Sequence, residues 1–265
     1  CQFELADQYK QTMTEYHSNT IFTHIAHLSD LHIGSKPDRY VEYDNVLDTF
    51  TDLVKGTSFK DSLLIVITGD LFHWKSRLAP EDIICFNRFM RNLNPLPVLI
   101  ILGNHDTVVN NKNREDLISP LVSQHTNVMY SKNTELFRVG QLKFFHISVF
   151  DHRKEDELYT AMLEASKGNV DAAYFNRLNA DGKRSTNRIL EDKINRPEPV
   201  ILLYHGFADG AKMGSHTVSG SDISRRIIEL SKMTLLGDIH ESQFIAPNCA
   251  YAGSLIQQNV GEDTN

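Results

Sequence analysis

Five short apolar runs, each closed by residues that can bind a metal, constrain this chain more than any other feature. They are "IFTHIAHLSD", "SLLIVITGD", "LPVLIILGNHD", "PVILLYHG" and "MTLLGD". All are short, aliphatic or β-branched, and end at Gly, Asn, Asp or His, which is the pattern of buried strands rather than amphipathic helices. Stretches with helical signals alternate with them. Residues 40–55 place Val41, Val46, Leu47, Phe50, Leu53 and Val54 near one face. Residues 80–92 open with Pro80-Glu81-Asp82, a good first turn with acids at the positive end of the dipole. Residues 221–230 open with Ser221-Asp222, a plausible cap. The segment "NVMYSKNTELFRVGQLKFFHISVF" reads as consecutive short strands with a tight turn near Val139-Gly140-Gln141. Strand–helix alternation followed by hairpins predicts an α/β fold, with a mixed sheet or two stacked sheets and helices outside.

Composition narrows the function classes. No apolar run approaches the roughly 18 residues of a membrane span, and the first twenty residues lack the basic-then-apolar order of a secretory signal. Three scattered cysteines are too few for a disulfide framework or a zinc knuckle, which favours an intracellular setting, cytoplasm or nucleus. A net charge of −7 argues against binding polyanions by bulk charge, so bound metal and local Lys/Arg clusters would have to supply the attraction.

The chemistry sits at the ends of the runs: Asp30-Leu31-His32, Gly69-Asp70, Gly103-Asn104-His105-Asp106, His205, and Asp238-Ile239-His240. In an open α/β sheet the carboxyl ends of the strands form the usual ligand crevice. Five such loops on one edge would gather carboxylate, imidazole and amide donors into one pocket. That mixture suits manganese, iron or zinc better than calcium. Singly, a D-x-H or a G-D is an ordinary turn. The ordered set, each member after a strand, is what chance rarely supplies.

The order D-x-H, G-D, G-N-H-D, H, x-x-H resembles the calcineurin-like metallophosphoesterases over most of residues 22–256. The resemblance implies a four-layer α/β sandwich, two mixed sheets flanked by helices, and two divalent ions, Mn²⁺ expected with Mg²⁺ as the alternative. It implies that Asp30, His32 and His240 hold one ion, and that Asn104, His205 and residue 238 hold the other. Asp70 would bridge them, offsetting repulsion between cations roughly 3.5–4 Å apart. His105 would act on the phosphate or leaving oxygen, oriented by Asp106, while water activated by the metals attacks phosphorus in line. The family usually has Gly-His-x-His at the last motif, so Asp238 replaces a histidine. It either serves as a hard oxygen ligand or, being shorter, leaves the second ion loosely held.

"GDLFHWK" (69–75) is similar to the nuclease subgroup of bacterial SbcD and the Mre-type subunit of double-strand-break repair complexes, as are "HGFADGAKMGS" and "YAGSLIQQNVGE". This likeness implies that His73 takes part in DNA cleavage. It further implies exonuclease action on DNA ends, endonuclease action, a homodimer, and an ABC-type coiled-coil ATPase of the SbcC kind as partner. Trp74 either stacks on a base or packs. Lys183, Arg184 and Arg188 are the candidate phosphate contacts, although charged stretches like theirs are more often solvated loops. His24 and His27 read as packed or hydrogen-bonded, and His125, His146, His152 and His216 as structural or solvent-facing. The expected organisation is an N-terminal extension (1–20) and a metallophosphoesterase domain (21–265) with a surface insert at 152–197. The cap region that follows in relatives is expected to be absent or truncated. Two other readings compete with the DNA nuclease: a phosphodiesterase or phosphatase acting on a small molecule or phosphoprotein, and a degenerate, non-catalytic scaffold.

Overall fold

The computed structural model describes residues 19–167, 198–213, 216–221 and 223–258. All five apolar runs form strands. β1 (His24–Leu28), β2 (Leu63–Ile67), β3 (Val98–Ile101) and β4 (Val128–Ser131) lie side by side in that order. Every pairing among them is parallel. A second sheet contains β5 (Glu135–Val139), β6 (Leu142–Ile147), β7 (Val200–His205), β10 (Met233–Gly237), β11 (Gln243–Ala246) and β12 (Cys249–Tyr251). Its order is β11-β12-β10-β7-β6-β5. The centre of this sheet is parallel, and the hairpins β5–β6 and β11–β12 make its edges antiparallel. The two expected sheets are thus both present, the first parallel throughout and the second mixed. A small ribbon, β8 (Lys212–Met213) and β9 (His216–Thr217), stands apart.

Alternation of side chains along the strands explains the layering. Leu64 and Val66 of β2 and Leu99 and Ile101 of β3 face the other sheet, where Phe144, Ile201, Leu203 and Leu235 meet them. Their neighbours Ile65, Ile67, Val98 and Ile100 point outward beneath α1 (Tyr40–Gly56) and α2 (Pro80–Leu93). On the far side Phe145, Leu202, Tyr204 and Leu236 lie beneath α3 (Glu155–Ser166) and α4 (Arg225–Leu230). Strands apolar on both faces need cover on both, and the result is helices, sheet, sheet, helices.

Two helix expectations need correction. The buried face of α1 is Tyr43, Leu47, Thr51 and Val54, with Val46 and Phe50 packed beside it. Val41 and Leu53 are exposed, because Tyr43 and Thr51 rather than those two complete the 3.6-residue stripe. The last helix begins at Arg225 after Ser224, whose hydroxyl bonds Glu155 instead of capping its own helix. Asp222 lies outside the described residues. By contrast, α2 starts at Pro80 as expected, and Asp82 reaches back to the Ala79 amide at 2.7 Å. The expected turn at Gly140 joins β5 to β6, with Gly140 at φ 56°. Among the described residues no helix is long and apolar enough to cross a membrane.

Candidate metal centre

Because β1, β2 and β3 run parallel, as do β7 and β10, each group of loops emerges at one carboxyl edge. A hydrogen bond of 2.6 Å from His205 Nδ1 to the Thr68 carbonyl ties the two edges together. Glycine makes that junction possible, though not in the way the turn reading expects. Gly237 and Gly103 do not have positive φ; instead, neither has room for a Cβ. One at Gly237 would strike the Thr68 carbonyl, Ser29 and, at 2.6 Å, His205 Nδ1. After Gly237 the left-handed backbone falls on the next residue, Asp238.

Among the described residues, the non-glycine residues with positive φ are Asp30 (55°), His32 (45°), Asp70 (52°) and Asp238 (89°). All four belong to the candidate ligand set. Such conformations cost of order 1–3 kcal/mol each and persist where the surroundings enforce them. Here the backbone amides are held: Asp30 N by the Gly69 carbonyl, His32 N by the Asp70 carbonyl, and Asp238 N by the Asp30 carboxylate, Oδ2 at 3.1 Å. Tyr43 Oη donates to the His32 carbonyl at 2.9 Å from the buried face of α1, a support that the sequence does not disclose.

The side chains converge as two groups sharing Asp30. Ligand atoms of Asp30, His32 and His240 lie within 4.8 Å of one another, and so do those of Asp30, Asp70 and His205. Asp70 spans both groups, with Oδ1 3.3 Å from His205 Nε2 and Oδ2 3.6 Å from His32 Nε2. Asp238 Oδ1 lies 3.7 Å from His205 Nε2 and accepts a 3.3 Å hydrogen bond from Asn104 Nδ2. That bond fixes the Asn104 amide so that Oδ1 is the free end. Asp30 Oδ1 and Asn104 Oδ1 are buried with no hydrogen-bond partner among the described residues.

The electrostatics fit a cation. Burial pushes the Asp30 carboxyl up to about 6, against the pull of His205. Burial also raises Asp238, while at Asp70 the His205 and His32 imidazoles outweigh it and hold the carboxyl below the usual range. The strongest charges on these three carboxylates are histidines and one another. Burial lowers His32 to about 3, so it presents a neutral ring able to ligate. His205 Nδ1 donates to a backbone carbonyl, which turns Nε2 inward in the manner of metal-ligating histidines. Buried carboxylates sharing a site, orphaned acceptors and oriented imidazoles are what a divalent ion would satisfy. Asp30, His32 and His240 form one candidate set, and Asn104, His205 and Asp238 a second, with Asp70 between. Replacing Asp238 by Ala removes both an oxygen donor and the hold on Asn104. The variant is expected to bind one class of Mn²⁺ at least tenfold more weakly by calorimetric titration, while the fold is kept.

Above the carboxylates, His105 Nδ1 lies 2.7 Å from the His73 carbonyl and His105 N donates to Asp70 Oδ1 at 2.7 Å. The rings of His32, His73 and His105 pack with centroids 5.0–5.6 Å apart. The expectation that Asp106 orients His105 is corrected. Both its oxygens are occupied by backbone amides, Phe72 N and Gly103 N, each at 3.0 Å. Asp106 is fully buried and splints the 103–106 loop to the 70–73 loop; burial, with Asp70 nearby, pushes its carboxyl up to about 8. Its sequence position beside His105 pointed outward, and only the fold turns it in.

A cavity of about 260 Å³ opens over this centre, lined by His32, Asp70, His73, His105, Asp238 and His240, and also by Ser35, Lys36 and Gln258. Ser35 and Lys36 carried no motif signal, whereas Gln258 falls in the nuclease-like "YAGSLIQQNVGE" stretch. Trp74 is 43% exposed at the edge, with the Arg77 guanidinium 4.4 Å over its ring. Lys183, Arg184 and Arg188 lie outside the described residues. The histidines set aside are elsewhere: His24 stacks on Phe59, His27 Nε2 contacts Thr68 Oγ1 at 2.9 Å, and His125 contacts Asn87 at 2.7 Å. His146 is buried against Ser131 Oγ at 2.7 Å, and the exposed His216 sits on the small ribbon.

Comparison with known proteins places this geometry. A protein of Acanthamoeba polyphaga mimivirus named "Uncharacterized protein R555" is 32% identical over 252 residues, which is 92% of this chain and 17% of that protein. The chain thus spans about a sixth of that relative's length. Among solved structures, TT1561 of Thermus thermophilus aligns over 87% of this chain and 89% of its own, at 15% identity and a TM-score of 0.44. The nuclease MPE of Pseudomonas putida aligns over 46% of this chain and 52% of its own, at 18% identity and a TM-score of 0.31. The model of the calcineurin-like phosphoesterase family matches residues 23–242, which contain strands of both large sheets and every candidate ligand. The chain belongs to the calcineurin-like phosphoesterase family.

Proposed function

We propose that this chain is a divalent-metal-dependent DNA nuclease of the SbcD/Mre kind, using Mn²⁺ and cutting both DNA ends and single-stranded or hairpin DNA. The observation that carries the reading is that the His73 and His105 rings, with centroids 5.6 Å apart, both line the mouth over the carboxylates. A phosphoesterase needs one histidine there; the nuclease-like "GDLFH" stretch brings a second into the same mouth. Divalent ions, when bound, supply Lewis acidity and a water nucleophile active at neutral pH.

The chain's own residues do the rest. Because the His73 carbonyl can only accept, His105 Nδ1 keeps its proton, and Nε2 is the nitrogen that gains and gives one up. In the protonated ring, Nε2–H is the donor to the leaving alkoxide. The His73 ring, whose pKa burial and His105 lower, narrows the mouth beside it. Trp74, with one face against Arg77, presents an aromatic edge to a base. The same reading proposes DNA as partner, a homodimer, and an ABC-type coiled-coil ATPase as the coupled subunit.

Protein loaded with Mn²⁺ is expected to degrade linear duplex and hairpin DNA with turnover well above that on bis-p-nitrophenyl phosphate or a cyclic nucleotide. Hydrolysis of the small esters without any cleavage of DNA, at full metal occupancy, moves the assignment to a small-substrate phosphodiesterase.

A further inference from the structure

The loop after the first ligand motif carries a cation that no motif marks. Gly34, at φ 88°, turns the chain tightly against α2, and a Cβ there would strike the Asp82 carboxylate. Asp82 is itself fixed by the Ala79 amide and by Tyr40 Oη at 2.6 Å, so the turn has no room to relax. Beyond it, Ser35 N bonds the His32 carbonyl at 3.0 Å, and the Lys36 carbonyl accepts Arg39 N at 2.9 Å as a short 3₁₀ turn begins. Ser35 and Lys36 are thereby held on the rim of the cavity, only a few residues from a ligand.

Lys36 is the one lysine or arginine among the residues that line this cavity. It is half-buried, and no ion pair joins it to a carboxylate among the described residues. It lines the same mouth as His73 and His105. A lysine kept near apolar or imidazole surface without a carboxylate partner is poised for an anion that arrives from solvent. The protein carries a net charge of −7, so an anionic substrate is repelled overall and needs such a contact at the mouth. A cavity of about 260 Å³ admits a phosphoryl group with part of one ester arm. A cation on its rim is therefore within reach of that same phosphoryl group.

We infer that Lys36 binds a non-bridging oxygen of the phosphoryl group seated in the cavity, so that it sets substrate affinity. The inference rests on the phosphoester reading of the site. A lysine here fixes charge but not geometry, since an ammonium has no planar fork. Arginine should therefore substitute in part and glutamine should not.

The test uses Lys36→Ala, Lys36→Gln and Lys36→Arg in the Mn²⁺-loaded protein. Inorganic phosphate binding is followed by calorimetry and hydrolysis of bis-p-nitrophenyl phosphate by kinetics. Ala and Gln are expected to weaken phosphate and to raise KM by about tenfold or more, the range of a hydrogen bond to a charged group. Mn²⁺ binding should stay unchanged, and Arg should recover part of the loss. Wild-type KM and phosphate affinity in Lys36→Ala overturn the inference. So does a wild-type protein that binds no phosphate. Absence of DNA cleavage by a wild-type protein that does bind phosphate overturns the nuclease reading alone, and the phosphate arm still decides Lys36.

Discussion

His105→Ala is expected to lower kcat about a thousandfold, within the 10²–10⁴ range of a positioned general acid, with metal binding intact. The two effects separate because the residue joins the site through different atoms. Its backbone N–H holds Asp70 Oδ1, and alanine keeps that bond. Only the ring is lost, and with it the proton at Nε2 that the His73 carbonyl orients from the opposite nitrogen. Kinetics on a diester and Mn²⁺ titration of the same preparation check both halves. A substrate whose leaving group needs no proton, such as a p-nitrophenyl ester, should lose much less rate than DNA. An equal loss on both would mean that His105 serves binding and not proton transfer.

Gly103→Ala is expected to damage the site through packing alone. Alanine has an ordinary backbone preference there, since Gly103 does not have positive φ. Its Cβ, however, would press on the Asp70 amide and carboxylate and lie 2.9 Å from the Gly69 carbonyl carbon. Two loops meet at this point: the one that supplies Asp70 and the one that supplies Asn104 and His105. Overpacking into a backbone typically costs about 3 kcal/mol when no flexible side chain can yield. Tm should fall by roughly 5 °C or more. Asp70 must move as well, so Mn²⁺ affinity should drop in both candidate ligand groups. Calorimetric unfolding without metal, followed by Mn²⁺ titration, tests the two consequences separately. A variant with wild-type Tm and wild-type metal affinity would show that the loops part more easily than the contacts imply.

The two substitutions also mark what could be read from the residues. The strands were legible because each is a short aliphatic run ended by turn residues, a local signal. The candidate ligands Asp30, His32, Asp70, Asn104, His205 and His240 could be picked out because they follow such runs in a fixed order. Asp106 was misread: adjacency to His105 says nothing of direction, and its carboxylate turns inward to two amides. The α1 face was misread at Val41 and Leu53 because a polar Thr51 and an amphipathic Tyr43 took the core positions.

Asp238 shows where the two kinds of information divide. Sequence established that an aspartate stands in the last ligand motif, after a glycine and a strand. It established likewise that carboxylates and imidazoles end five parallel-type runs, because both signals depend on residue type and local spacing. Only the tertiary structure decided what Asp238 does: at φ 89° it grips Asn104 Nδ2 and stands 3.7 Å from His205. It also decided that Lys36 reaches the same cavity and that Gly103 and Gly237 serve close approach rather than turning. Those outcomes depend on how strand ends approach within a sheet and across the two sheets, and contacts between residues far apart in the chain leave no periodicity in it.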